Sequence, residues 1–266
     1  MTVRELFVTH YPLWLCVLFT AFGVLLIGVA KAGFGGGVGF LTTPLMSLVI
    51  PPRFVIGTLL PLLMVGDAFV VWHYRKHFSK PNLVRLFAGA AVGILTGALF
   101  LGKVDDLVLR RTLGILALSF VALQWAREKL ASRQGAAVQM LTPVAVVAGA
   151  VAGFVSMVAH SAGVIVAMYL LPLRLDKREF VGTMVLFFAV VNATKLIPYT
   201  GLGLITRQTL LYGLPFAVLI PVGVQMGLYL NRRLSPRTFN RVILFLILFS
   251  GLNLLSEKNL LTLLIK

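Results

Sequence analysis

Ten apolar runs, with most of the charge in the short gaps between them, constrain this chain more than any other feature. They cover residues 13–30, 35–50, 54–73, 84–102, 107–126, 142–158, 161–173, 180–199, 208–230 and 239–256. About 20 apolar residues in helical form match the hydrocarbon thickness of a bilayer, where every backbone polar group must be bonded within its own segment. The expected fold is therefore an all-α polytopic membrane protein of 8–10 segments. Hydrophobic residues make up 59% of the 266 residues and charged residues only 12%, about half the charged share of a soluble domain. The runs leave no length for a soluble catalytic domain, so whatever the chain does happens in or across a bilayer.

A duplication organises these runs. Lys31-Ala-Gly-Phe-Gly-Gly-Gly37 interrupts one half, and Ser156-Met-Val-Ala-His-Ser-Ala162 interrupts the other 125 residues later. The same offset pairs Gly57-Thr58 with Gly182-Thr183 and Asp67 with Asn192. Two copies of one unit predict a first repeat over 1–128, a cytoplasmic linker over 129–141 and a second repeat over 142–266. Each repeat holds about five segments, the first two short enough to form a broken helix or a re-entrant hairpin. An odd number of segments inverts the second copy, an arrangement that places paired, irregular backbone at the same depth in many secondary transporters.

The formal net charge of +16 is explained by topology and not by nucleic acid, because the basic residues sit in the gaps. If the segments alternate, fifteen of the 24 Lys and Arg collect on one side, in the gaps at 75–85, 127–133, 174–178 and 232–241 and at Lys31. The positive-inside rule makes that side cytoplasmic and places both termini outside. No cleaved leader is expected at 1–12, which carries Arg4, Glu5 and His10 without a cleavage pattern. Trp72, Tyr74, Trp125 and Tyr229 suit the interfacial aromatic belt.

Candidate site residues fall at the two breaks and in the third segment of each half. The run Gly33-Phe-Gly-Gly-Gly-Val-Gly39 brings backbone N–H groups together, which suits an oxyanion, with close helix packing as the alternative. Gly35, Gly36 and Gly37 are the substrate-binding candidates there. In the second break Ser156, His160 and Ser161 offer hydroxyl and imidazole donors, or bonds to their own helix. Asn192 and Lys195 share one helical face, and Lys195 either lines a cavity or snorkels to the interface near Pro198. Asp67 is the proton-coupling candidate, since a carboxylate at membrane depth costs at least about 2.5–3.5 kcal/mol unless it is paired or used. Lys31 is a gate charge or one more topological anchor. The sole cysteine, Cys16, and a single histidine at depth supply no metal set or redox pair, so neither a metal nor a cofactor is expected. An intramembrane enzyme and a non-transporting assembly subunit remain as alternatives to a transporter.

The run Lys31 to Gly39 followed by Pro44, the break from Ser156 to His160, Leu173-Arg-Leu-Asp-Lys177, and Gly182-Thr-Met-Val-Leu-Phe-Phe-Ala-Val-Val-Asn192 with Lys195 resemble the TauE/SafE sulfite exporter family. The resemblance covers nearly the whole chain. It implies a bacterial inner-membrane protein of two inverted repeats that moves sulfite, thiosulfate or an organic sulfonate, with proton coupling in some members. The partners it implies are a small sulfur-containing anion and the lipid bilayer.

Overall fold

The computed structural model describes residues 11–31, 37–131, 142–233 and 236–256, and these are helical with no strand among them. In chain order the helices are α1 (Leu13–Lys31), α2 (Gly37–Met46), α3 (Pro52–Tyr74), α4 (Lys80–Lys103), α5 (Asp106–Ala131), α6 (Thr142–Ala159), α7 (Gly163–Leu170), α8 (Lys177–Gly201), α9 (Arg207–Gly213), α10 (Leu219–Arg233) and α11 (Pro236–Leu255). Six stretches of this set are long and apolar enough to cross a membrane. The chain is an all-α, multi-pass membrane protein.

The second and seventh runs do not span. With ten and eight residues, α2 and α7 reach only about 15 and 12 Å at 1.5 Å per residue. Each folds back beside the helix before it. At its start α1 lies beside the end of α2, where Cys16 Sγ sits 3.8 Å from Val49 O, and at its end Lys31 bonds Asp67 well along α3. The second hairpin runs the other way. Its helix α7 ends where α4 begins, with Tyr169 Oη donating to Asn82 Oδ1 at 2.7 Å, and its tip places His160 Nε2 3.0 Å from Ile56 O near the start of α3. One hairpin therefore enters from the Arg53 end of α3 and the other from the Arg75 end.

Between the hairpins α3 and α8 run antiparallel. The start of α3 meets the end of α8, where a Cβ on Gly57 would stand 2.0 Å from Leu204 O, and the far end of α3 meets Gly182 at His77 O. Asp176 starts α8 as its N-cap, its Oδ1 accepting from the N–H groups of Arg178 at 2.8 Å and Glu179 at 3.1 Å. The ninth run is not one continuous α-helix: a 3-10 stretch, Leu214–Val218, separates α9 from α10. Pro215, within that stretch, and Pro221, in the first turn of α10, remove donors that would have continued the ladder.

The long arms of the hairpins are held by backbone-to-backbone contact. Along α4 and α6, a Cβ on Gly93 would lie 2.0 Å from Ala150 O and one on Gly153 2.5 Å from Ala90 O. Along α1 and α10, one on Gly28 would lie 2.3 Å from Ile220 O. Close approach of this kind replaces the hydrophobic driving force that lipid removes. Gly93→Val is expected to push α4 and α6 apart and cost at least about 1–3 kcal/mol, read as a lower melting temperature in detergent. An unchanged melting temperature would mean that the contact does not carry the packing.

The aromatic residues assigned to the interface divide in their exposure. Trp72, Trp125 and Tyr229 are among the most exposed large side chains, whereas Tyr74 is half-buried. Arg75 lies over the Trp72 ring with its guanidinium carbon 3.6 Å from the ring centre, an anchor at the end of α3.

Candidate functional site

The second break is built around a buried lysine. Lys195, on α8, is 0% exposed and does not snorkel, because α8 continues past Pro198 to Gly201 and keeps the ammonium inside. Its Nζ lies 3.0 Å from Ser156 O, 3.0 Å from Ser156 Oγ and 2.9 Å from His160 Nδ1. An ammonium has three hydrogens and no lone pair, and all three partners can accept. That pattern fixes the imidazole: Nδ1 accepts from Lys195, and Nε2–H donates to Ile56 O at 3.0 Å. Tyr199, one turn beyond Lys195, donates to Met157 O at 2.6 Å and walls the imidazole, its Oη 3.4 Å from Nε2.

His160 itself ends the arm of the hairpin. Its φ of 53° is left-handed, a region that non-glycine residues seldom occupy. Residue 35, its counterpart at the 125-residue offset, is a glycine, the type suited to that turn. At 160 the strain is retained together with an imidazole that a glycine could not provide. Ser161 is buried, but its hydroxyl donates to Ala159 O at 2.5 Å and approaches Phe40 O at 3.5 Å, so it faces backbone and not Lys195. Gly35 and Gly36 lie outside the described residues, and Gly37 is the first residue of α2.

One turn before Lys195 on α8, Asn192 Nδ2 donates to Asp67 Oδ2 at 2.7 Å. The other oxygen, Oδ1, takes an ion pair from Lys31, so the carboxylate is bonded on both sides. Asp67 is 5% exposed. Among the described residues, the interior between the hairpins thus holds two ammonium groups, Lys31 and Lys195, and one carboxylate. Among the described residues no carboxylate lies within ion-pair distance of Lys195.

Two cavities meet this network. A small one of about 50 Å³ lies between the first hairpin and α3, lined by Lys31, Gly39, Thr42, Thr43, Leu59 and His160 among others. The hydroxyls of Thr42 and Thr43 are buried there with no hydrogen-bond partner among the described residues. A larger one of about 300 Å³ is lined by Asp67, Met64, Ala68, Val71, Trp72, Arg75 and Ala189, and reaches the surface at exposed Trp72 and Arg75. Buried hydroxyls without partners are uncommon and ask for an occupant. Lys31, His160 and the two threonines give the small cavity a ring of polar groups on otherwise apolar walls, the usual make-up of a small-ligand site. Sequence reasoning missed Thr42, Thr43 and Tyr199. Two adjacent threonines ahead of Pro44, in a run otherwise apolar, were the available signal.

The fold and the site together define a polytopic helical membrane protein with two opposed hairpins and a polar interior carrying excess positive charge. The family model described as Sulfite exporter TauE/SafE matches residues 20–254, and the chain belongs to this family of membrane transporters. No curated protein and no solved structure matches the chain.

Proposed function

We propose that the chain is a secondary transporter that exports a small sulfur oxyanion across the bacterial inner membrane, using two inverted repeats and Asp67 as proton carrier. The observation that carries this reading is the interior charge: among the described residues Lys31 and Lys195 stand against one carboxylate, Asp67, beside threonine hydroxyls with no partner among those residues. One uncompensated ammonium inside a membrane protein is costly unless an anion completes it. Lys195 stands behind His160, polarising the imidazole that faces the small cavity. Ser156 steadies Lys195, and Asn192 steadies Asp67. The Gly35 to Gly37 run would supply backbone donors to the cargo from the first hairpin.

Inversion of the repeats is supported by the pair on which the helices cross. Asp67 and Asn192 are equivalent at the 125-residue offset and hydrogen-bond to one another on antiparallel helices. A residue that touches its own counterpart lies at a two-fold axis, and antiparallel helices put that axis in the membrane plane. Helices α3 and α8 begin at the same offset, Pro52 and Lys177, and α2 and α7 nearly so, at Gly37 and Gly163.

Size favours a compact cargo. A cavity of 50 Å³ holds roughly four water-sized groups, which suits an anion of four or five heavy atoms better than an extended sulfonate. An inside-negative potential drives each anionic charge outward by about 2.3 kcal/mol per 100 mV, which makes export the downhill direction. A thermal-stability screen of the purified protein against sulfite, thiosulfate, sulfate, sulfoacetate, taurine and chloride at matched ionic strength tests the class. A ligand at 100 times its Kd should add about 2.7 kcal/mol to the folded state, and sulfite or thiosulfate is expected to give the largest shift. Equal shifts for all anions would remove sulfur specificity from the proposal.

A further inference from the structure

The same carboxylate and ammonium that balance each other also stand between the two cavities. Asp67 lines the 300 Å³ vestibule and Lys31 lines the 50 Å³ cavity, and the two are paired. We infer that the Lys31–Asp67 ion pair is the gate between vestibule and cavity, and that an anion arriving from the vestibule opens it by taking the place of Asp67 at Lys31. This rests on the transporter reading for its cargo, but the gate is a property of the two cavities and can be probed without one.

Three features make the pair suited to opening and closing. Lys31 is the last residue of α1, so the bond ties the end of a hairpin arm to the body of α3. Asp67 uses separate oxygens for its two partners, Oδ1 for Lys31 and Oδ2 for Asn192. Losing Lys31 therefore leaves the carboxylate held by Asn192 and in place for return. The third feature is Gly66, where a Cβ would lie 3.1 Å from Lys31 Cε: the missing side chain leaves the track along which the lysine stem crosses α3.

The exchange is chemically even. A carboxylate and an incoming oxyanion are the same kind of ligand for an ammonium, so Lys31 changes partner without becoming unpaired. Asp67, released at Oδ1, stays held by Asn192 at Oδ2 and faces the vestibule. The incoming negative charge offsets the ammonium that Asp67 alone leaves uncompensated among the described residues. The charged and titratable groups facing Asp67 are Lys31 from α1, Lys195 from α8 and Arg75 further along α3, with His160 across the small cavity from Lys31.

Thiol accessibility tests the gate directly. Ala30 lines the small cavity, and the only native thiol, Cys16, is removed with Cys16→Ala. In that background Ala30→Cys reports entry of iodoacetamide, a neutral alkylating agent of five heavy atoms, into the cavity of the detergent-solubilised protein. Labelling is expected to be slow with the native pair, to rise roughly tenfold with Asp67→Asn, and to fall back with the charge-swapped Lys31→Asp/Asp67→Lys. Gly66→Leu, which displaces the lysine stem and keeps both charges, should also accelerate it and serves if Asp67→Asn fails to fold. Sulfate and methanesulfonate, both inert to iodoacetamide, should accelerate labelling of the native pair, whereas chloride at equal ionic strength should not. Equal rates in Asp67→Asn, Gly66→Leu and the parent would overturn the gate. Acceleration by the variants with no effect of either oxyanion would overturn opening by exchange. Labelling needs no flux, so a failure here leaves sulfur-anion transport standing. A protein that moves no sulfur anion can still show the gate.

Discussion

Lys195→Met is expected to abolish transport while leaving the protein folded. Methionine fills most of the volume of the lysine stem, and exchanging a buried charge for an apolar group of similar size is often neutral for stability. Against that stand the acceptors left behind: Ser156 O keeps the His160 N–H at 3.1 Å and the Ser156 hydroxyl can turn, so His160 Nδ1 is the group stranded, at about 1–3 kcal/mol where water cannot reach it. A modest loss of stability is the expected balance. The effect on cargo is larger, because the interior then holds one ammonium for one carboxylate and has no excess positive charge to offset the anion. Removing a buried, hydrogen-bonded charge costs about 2–5 kcal/mol of binding, which is roughly thirtyfold to several thousandfold in affinity. Flux in proteoliposomes and melting in detergent separate the two effects. Wild-type flux in a folded Lys195→Met protein would take Lys195 out of the site.

The second large effect concerns the other lysine. Lys31→Met leaves Asp67 buried with Asn192 as its remaining partner, and stranding one member of a buried pair costs about 3–5 kcal/mol. Asp67→Asn strands Lys31 instead, at a lower cost because its side chain is 18% exposed and has some access to water. The double variant Lys31→Met/Asp67→Asn should lose less than the sum of the singles, with a coupling of about 1–3 kcal/mol. Denaturant titration of the four proteins in detergent measures it. Strict additivity would mean that the two groups do not interact in the folded protein.

Much of the architecture was legible because lipid imposes a coarse code. The first run, expected at 13–30, forms α1 at Leu13–Lys31, and the broken pairs expected at the head of each half are hairpins with short return helices. The division of 208–230 was not read, because Pro215 and Pro221 lie within a run that is apolar on both sides of them. Within the site, Asp67 and Asn192 were linked through the offset alone, and they touch because they lie where the two halves meet. The rest depends on pairings between residues far apart in the chain. Nothing near Lys31 indicates that its partner is Asp67, and nothing near His160 points to Ile56 or Tyr199. Helical periodicity reports the face a side chain occupies and is silent on the helix opposite. Ser161 illustrates the converse: its residue type suits a donor to substrate, yet the local turn takes its hydroxyl for Ala159 O.

The most direct test of the central claim is efflux of radiolabelled sulfite from proteoliposomes held at an imposed, inside-negative potential, with Lys195→Met vesicles alongside. The account predicts efflux that outpaces protein-free vesicles, quickens as the interior is made more negative, and disappears in Lys195→Met. Efflux equal to protein-free vesicles, or unchanged by Lys195→Met, would contradict a sulfite-carrying site organised by that lysine.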